Sequence, residues 1–121
     1  MRYMFLIYAN EATEAAAPAA AQRARAMQHQ AVMREAGGTG VFLGADPLEP
    51  TSTATTVRAK DGRPLIIDGP YAETKEQLAG YYMLECRDLD DAIEWAKKIP
   101  WTCQDGDGCV EIRPVREISK P

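Results

Sequence analysis

The sequence has few of the residues that metal centres and disulfide frameworks require. It contains three cysteines and one histidine in 121 residues. Cys86, Cys103 and Cys109 form no CxxC pair, and an odd number of cysteines is typical of reduced thiols in the cytoplasm. We therefore predict no metal site and expect reduced thiols, although oxidation could close the short loop between Cys103 and Cys109.

Long apolar runs and an excess of basic residues are missing as well. No apolar run approaches the roughly 20 residues that span a bilayer, and the apolar run near the start is too short for a signal peptide. The formal charge of −4 has the wrong sign for a phosphate-binding surface, because nucleic-acid-binding proteins gather Lys and Arg on one face. We expect a cytoplasmic protein that binds neither membranes nor nucleic acids.

The motifs of common cofactor and nucleophile sites are also missing. There is no glycine-rich phosphate loop and no GxSxG turn. Gly37, Gly38 and Gly40 follow a predicted helix and precede a strand, the reverse of the order in a phosphate-binding loop, so we interpret them as the end of that helix. We predict no cofactor.

The residues that are present predict one α+β domain over residues 1–121. A hydrophobic content of 45% is enough for one core. Asp61-Gly62 predicts a tight hairpin turn, and Ala72–Leu78 is compatible with a short helix. Apolar runs, β-branched residues and helical spacing predict strands at Tyr3–Tyr8, Val41–Leu43, Thr53–Lys60, Leu65–Ile67, Tyr81–Cys86 and Cys109–Arg113, and helices at Ala19–Ala36 and Asp88–Ile99.

Without the hairpin, the order strand, helix, strand, strand, helix, strand is that of the split βαβ or ferredoxin-like arrangement. This order predicts an antiparallel sheet with both helices on one face. The opposite face would expose apolar side chains of the first strand, and packing against a second copy would cover them. We therefore expect a homodimer.

The segment Asp68–Tyr82, DGPYAETKEQLAGYY, resembles the signature of DGPF-type proteins within the YCII-related family. The resemblance continues at Asp88–Ala96 and Val110–Val115, and the opening strand Met4–Tyr8 is similar to that of the family. Nearly the whole chain is covered. The resemblance implies a ferredoxin-like subunit, here with an inserted β-hairpin, that forms a dimeric α/β barrel.

The same resemblance implies less about chemistry. Most members have no established activity, some YCII relatives are lyases acting on chlorinated aromatic metabolites, and DGPF genes often lie beside those of extracytoplasmic-function sigma factors. The enzymes are thought to pair a histidine of the first helix with an aspartate near the end of the second. His29 matches that histidine, whereas Ile99 stands before Pro100 in place of the aspartate. The pair is therefore incomplete in this sequence.

His29 is the first candidate for acid–base chemistry, because histidine alone ordinarily changes charge between about pH 5 and 8. At helical spacing it falls on the apolar side of its helix with Ala26, Val32, Met33 and Ala36. The alternative interpretation is a core histidine that is hydrogen-bonded to a nearby acceptor.

Four further side chains are candidates. Asp68, at the end of a strand, would orient His29 in place of the missing aspartate, or its carboxylate would accept hydrogen bonds within its own turn. Glu73 and Lys75 would bind a polar ligand, or they would simply pair with each other. Tyr8, at the end of the first strand, would donate a hydrogen bond to a ligand, whereas most strand tyrosines serve packing.

These residues leave three functions open. The first is a small-molecule enzyme of the lyase or isomerase type with a His29-centred acid–base cleft. The second is a noncatalytic ligand-binding or regulatory module that works with an extracytoplasmic-function sigma factor through the DGPY segment. The third is a purely structural role, in which Asp68, Gly69 and Pro70 only fix the geometry of the dimer.

Overall fold

The computed structural model describes residues 1–100 and 107–121. Within these ranges the strands and helices follow the predicted order, with an additional short helix before Pro18. A 3₁₀ turn at Thr51–Thr53 precedes the hairpin. The bounds of the elements are β1 (Arg2–Ala9), α1 (Glu11–Ala16), α2 (Ala19–Gly38), β2 (Phe42–Pro47), β3 (Thr55–Lys60), β4 (Arg63–Asp68), β5 (Gln77–Glu85), α3 (Leu89–Lys98) and β6 (Cys109–Pro114).

Four strands form an antiparallel sheet in the order β2-β5-β1-β6, so that β1 has a neighbour on each side. The hairpin of β3 and β4 is a separate two-stranded sheet. Once the hairpin is left out, the strand order and the two longer helices are compatible with the predicted ferredoxin-like arrangement. The prediction of a mixed α+β fold is confirmed.

The two longer helices pack on the same face of the sheet. Val32 and Ala36 of α2 share one buried cluster with Ala92 and Trp95 of α3 and with the alternate residues of β1 that begin at Tyr3. Every second residue of β1 is buried in this cluster or next to it, and the residues between them are half-buried. The core therefore lies between the helices and one face of the sheet.

The edge strand β2 lies very close to β5 at Gly80. A Cβ atom at Gly80 would lie 2.9 Å from the carbonyl oxygen of Asp46 and 3.3 Å from Cα of Pro47. Both are backbone atoms that cannot rotate away, so glycine is needed for this spacing. Gly44 on β2 differs, because a Cβ atom added there has nothing within 4 Å.

The β3–β4 hairpin turns at the predicted residues. Asp61 and Gly62 have φ angles of 52° and 74°, the left-handed conformation that a two-residue type I′ turn requires. Val57 faces Ile66 across the two strands, and the two side chains are 65% and 70% exposed. One face of the hairpin therefore presents an apolar pair to solvent.

The third helix is capped as the sequence predicts. Asp88 Oδ1 accepts a hydrogen bond of 2.8 Å from the backbone N–H of Asp91. Lys97 and Lys98 lie in the last turn, where positive charge stabilises the negative end of the helix dipole.

The helix-compatible residues of Ala72–Leu78 form no helix. Residues 71–76 form an irregular connection, whereas Gln77 and Leu78 belong to β5 and pair with β1. Pairing in the sheet outweighs the helix preference of these residues. A side chain also fixes the end of the connection, since Gln77 Nε2 donates to the carbonyl oxygen of Thr74 at 2.6 Å.

Two of the three cysteines, Cys86 and Cys109, lie in the described part of the chain. Cys86 is buried next to the core, with 2% of its surface exposed. Cys103 lies outside the described residues, so the loop closure with Cys109 stays a prediction. None of the helices in the described part of the chain is long and apolar enough to cross a membrane.

Candidate functional site

A cavity of about 390 Å³ lies between α2 and the sheet. Its walls come from α2 and from the ends of β1, β2 and β5, and most of the lining is apolar, as at Ile7, Met33 and Pro47. A volume of this size falls in the range of pockets that hold small organic molecules. The lining residues with polar side chains are Glu14, Arg25, His29, Gln30, Asp46, Tyr81 and Tyr82.

Helical spacing explains which residues of α2 reach the cavity. Arg25, Ala26, His29, Gln30 and Met33 line it, and they follow one another at intervals that keep them on one side of a helix. The side of α2 that carries His29 is therefore more polar than the sequence pattern predicts, because Arg25 and Gln30 share it.

His29 on α2 is hydrogen-bonded to Tyr82 on β5. Its Nδ1 atom lies 2.7 Å from the Tyr82 hydroxyl oxygen, and the two rings are stacked with centroids 5.8 Å apart. Tyr82 is 3% exposed and faces Phe5 across the β1–β5 pairing, so its position is fixed by the core. The core thereby fixes the orientation of the imidazole.

The Tyr82 hydroxyl has a second acceptor within reach. It lies 3.4 Å from the backbone carbonyl oxygen of His29, to which it can donate while it accepts a hydrogen bond from Nδ1–H. In that arrangement Nε2 of His29 keeps its lone pair and is the basic nitrogen. If Tyr82 donates to Nδ1 instead, Nε2 carries the proton. The first arrangement uses both contacts.

The surroundings keep both groups neutral. Burial, with a smaller contribution from the positive charge of Arg25, lowers the pKa of His29 below its ordinary value. Burial raises the pKa of Tyr82 to about 12. At neutral pH the pair is therefore an imidazole and a phenol, and the neutral imidazole is the form that accepts a proton.

An ion pair lies at the cavity beside His29. Nη1 of Arg25, four residues before His29 on α2, pairs with Oε2 of Glu14 on α1. Their side chains are 25% and 27% exposed. The helix α1 is held in place by Glu11, whose carboxylate accepts bonds of 2.8 Å from the N–H and the hydroxyl of Thr51. The position of Glu14 is therefore set by a fixed helix.

A second polar pair joins β2 and β5, and strand alternation places its two side chains on the face of the sheet opposite Tyr82. The Tyr81 hydroxyl donates to Oδ2 of Asp46 at 2.8 Å. This hydrogen bond is the main cause that raises the pKa of Tyr81. The carboxylate of Asp46 is thus already engaged.

Asp68, predicted to orient His29, does not line the cavity. It is exposed at the end of β4, where it faces Thr55 across the hairpin. The chain therefore does not bring Asp68 to His29, and Tyr82 occupies the position of the histidine's partner. A catalytic role for Asp68 stays a prediction.

Tyr8 lies on the opposite face of the sheet from His29. Its neighbours Ile7 and Ala9 are buried on the helix side, so Tyr8 points the other way. Burial, followed by the charge of Glu111, raises its pKa. Tyr8 does not line the cavity, and its predicted contact with a ligand stays untested.

Glu73 and Lys75 are exposed in the connection before β5 and do not line the cavity. Nζ of Lys75 lies 3.1 Å from Oδ1 of Asp107, and the backbone N–H of Gly108 donates to Oε1 of Glu76 at 2.6 Å. These contacts tie the connection to the start of β6. Lys75 is thus paired with Asp107 in the described part of the chain, and the predicted ligand contacts of Glu73 and Lys75 stay untested.

The position where the resemblance places an aspartate lies beside the cavity. Pro100 lines it, but the preceding side chain, Ile99, is buried in the core with 1% exposed. At this position an apolar core side chain therefore stands in place of a carboxylate. Among the described residues, no three His, Cys, Asp or Glu side chains are grouped so that they could hold a metal ion.

Sequence reasoning missed the partners of His29. Tyr82 could have been found, because alternation along β5 places it on the helix-facing side with Leu84. The spacing of four residues between Arg25 and His29 was a second available signal. Glu14 gave no such signal, since its contact depends on how α1 is placed.

The chain is similar to known proteins over nearly its whole length. A model of the YCII-related domain family matches residues 1–119. An uncharacterized protein of Rhizobium meliloti (strain 1021) is 33% identical over 115 residues, a match that covers 95% of this chain and 92% of that protein. These matches extend over the sheet, both longer helices and the cavity between them, and on their strength the chain belongs to the YCII-related domain family.

Proposed function

We propose that this protein binds a small, largely apolar organic molecule in the cavity between α2 and the sheet, and that His29 acts on it as an acid–base residue. The observation that carries the proposal is the 2.7 Å contact of His29 with Tyr82 within a mainly apolar cavity of about 390 Å³. Mostly apolar pockets with a few fixed polar groups are the usual sites of small-molecule binding. The reaction type that such a site supports is a lyase or isomerase step that begins with proton abstraction.

In this proposal Nε2 of His29 accepts the proton and Tyr82 orients the imidazole. Tyr82 takes the place that an aspartate has in a Ser-His-Asp triad, with one difference. Because its hydroxyl stays neutral, it fixes the tautomer of His29 without stabilising the imidazolium by charge. The site therefore suits substrates whose proton is already acidic, such as one next to a carbonyl group.

We further propose that the protein is a cytoplasmic homodimer of the DGPF type, built as a dimeric α/β barrel. The proposal is supported by apolar side chains on the sheet face opposite the helices, since Met4, Leu6 and Met83 are only half-buried there. A second copy packed on this face would remove their apolar surface from water. Tyr8 would then lie at the interface, where it could still contribute to a ligand site.

Sedimentation velocity tests the dimer. Leu6→Glu places a charge in the middle of the proposed interface and should convert the protein to monomers, whereas Leu43→Glu, at an exposed position on β2, should not. A monomeric wild-type protein would contradict the dimer and leave the cavity proposal standing.

A second candidate function is a noncatalytic module that binds a protein partner, of which a sigma factor is one kind. The observation that favours it is the exposed apolar pair of Val57 and Ile66, together with a Tyr71 side chain that is 74% exposed. Co-purification separates the candidates. A partner that is lost with Val57→Ser and Ile66→Ser but retained with His29→Asn would favour the module.

The small-molecule proposal is tested by NMR with a fragment library of neutral, anionic and cationic aromatic and aliphatic compounds. The protein has a single histidine, so its ring signals report directly on the cavity. Ala26→Trp should block binding, because Ala26 lines the cavity from an exposed position on α2. Ala24→Trp is the matched control, since Ala24 is exposed on the same helix and lies outside the lining.

Turnover is then tested with the fragments that bind. His29→Asn should retain binding and abolish turnover, and Tyr82→Phe should reduce turnover through loss of orientation. A library in which no compound moves the His29 signals, or one whose binding survives Ala26→Trp, would contradict the proposal.

A further inference from the structure

We infer that Arg25 is an anion-recognising residue and that the ligand of the cavity is a small apolar organic acid whose carboxylate displaces Glu14 from Arg25. The inference rests on the proposed function, since it names the class of molecule that the same cavity takes. Its basis is the placement of an arginine, a histidine and a displaceable carboxylate at the edge of an apolar cavity.

Arg25 is suited to hold a carboxylate at this point. Its guanidinium is the one arginine side chain among the residues that line the cavity, and it is about three quarters buried. A planar guanidinium recognises a carboxylate through parallel N–H donors, and partial burial strengthens such bonds. The apolar lining is left for the hydrocarbon part of the ligand.

Glu14 already shows the contact that a ligand carboxylate would make. Its carboxylate oxygen Oε2 is paired with Nη1 of Arg25 at the cavity. The backbone of α1 is tied down through Glu11 and Thr51, and Gln22 Nε2 donates to the carbonyl oxygen of Ala17 at the end of this helix. Exchange of one carboxylate for another therefore needs only a rotation of the partly exposed Glu14 side chain.

The spacing of Arg25 and His29 then determines where the acid is attacked. Residues four apart on a helix are neighbours, with Cβ atoms about 5–6 Å apart. A carboxylate held by Arg25 places the carbon atoms next to it within reach of the His29 imidazole. Because a carboxylate alone does not make a neighbouring C–H acidic, the proton that His29 removes is expected on a carbon near the carboxylate that a carbonyl group also activates.

The structure favours an anionic ligand over a cationic one. A cationic ligand would have to pair with Glu14, because the Asp46 side chain lies on the other face of the sheet, bonded to Tyr81. Arg25 would then be left facing His29 without a counter-charge. An anionic ligand leaves only Glu14 without its partner, and Glu14 is exposed enough to be solvated.

Isothermal titration with three probes of one shape tests the inference. Phenylacetate, phenylacetamide and phenethylamine share a ring and a short chain, and they differ in charge. Wild-type protein should bind phenylacetate most tightly. Arg25→Gln should weaken phenylacetate by about 10-fold or more, the loss of one hydrogen bond to a charged group, and should leave phenylacetamide unchanged.

Two further variants complete the design. Arg23→Gln is the matched control, because Arg23 is exposed on the same helix and lies outside the lining, and it should change neither affinity. Glu14→Gln removes the competing carboxylate and should tighten phenylacetate by about 2- to 5-fold, the range expected for a partly exposed ion pair.

The outcomes separate this inference from the proposed function. If phenylacetamide binds as tightly as phenylacetate and Arg25→Gln affects neither, the charge recognition is overturned while the small-molecule cavity stands. Preference for phenethylamine overturns it in the same way. If none of the three binds and the fragment library also fails, the inference and the proposed function fall together.

Discussion

A methyl group added at Gly80 tests the packing that forms the strand side of the cavity. In Gly80→Ala the new Cβ atom would lie 2.9 Å from the carbonyl oxygen of Asp46, closer than Cβ atoms approach non-bonded atoms in folded proteins. Because Asp46 and Pro47 contribute backbone atoms here, β2 has to move away from β5. We expect this shift to cost stability and to distort a wall of the cavity, which Gly80 and Pro47 line.

The size of the effect follows from two opposing contributions. Overpacking by one carbon atom typically destabilises by about 1–3 kcal/mol. Replacing glycine by alanine also restricts the unfolded chain, which stabilises by about 0.4–1 kcal/mol where the site accepts a methyl group. Gly80→Ala should therefore lose about 1–2 kcal/mol in the free energy of unfolding. Gly44→Ala, with open space around the new atom, should be neutral or slightly more stable.

Urea unfolding, followed by circular dichroism, gives the free energy of unfolding of both variants, which can be compared directly if their m-values are equal. The difference between Gly80→Ala and Gly44→Ala is the quantity of interest, because the unfolded-state contribution cancels in it. Equal stability of the two variants would refute the close approach of β2 to β5, and with it the shape of the cavity wall.

Three further outcomes are expected. Because the pKa of His29 is lowered in the folded protein, the unfolded chain takes up the proton first as the pH falls through 6.5. The free energy of unfolding of the wild type relative to His29→Gln should therefore fall below pH 6.5 and level off below the folded pKa. A difference that does not change with pH would contradict the burial of His29. Asp88→Ala should lose about 1 kcal/mol in chemical denaturation because it removes the N-cap of α3, whereas Asp90→Ala should change little. Burial raises the pKa of Cys86 to about 11, so iodoacetamide at neutral pH should alkylate Cys86 only after unfolding, as peptide mapping by mass spectrometry would show; rapid alkylation of the native protein would contradict it.

The order of strands and helices could be predicted because each element carries a local pattern. The Asp61-Gly62 turn requires two left-handed residues, and the sequence supplies a pair that adopts them readily. Helix α3 is marked at its start by Asp88 and at its end by lysines. Such signals depend on neighbours in sequence, so one chain is enough to find them.

The connection before β5 shows where local patterns fail. Ala72–Leu78 contains good helix formers, yet Gln77 and Leu78 pair with β1. The sheet satisfies the backbone hydrogen bonds of these residues and extends β5 along a central neighbour, which a short exposed helix could not match. Pairing between distant segments outweighed propensity.

The candidate site was found in part. His29 could be identified from its chemistry and from its position on α2, but the residue that orients it could not. Asp68 was the natural candidate by charge, whereas Tyr82 is the partner because β5 runs under α2 in the core. The Glu14–Arg25 pair likewise depends on how α1 folds back on α2, which no spacing in the sequence indicates.

The tautomer of His29 tests the proposed acid–base site most directly, and the nitrogen NMR spectrum of this single imidazole gives it. At pH about 8, above the ordinary pKa of histidine, we expect Nδ1 to carry the proton and Nε2 to be unprotonated, because Nδ1 donates to Tyr82. Tyr82→Phe should return the ring to a mixture of tautomers. A wild-type spectrum in which Nε2 carries the proton, or one that Tyr82→Phe leaves unchanged, would contradict the proposed base.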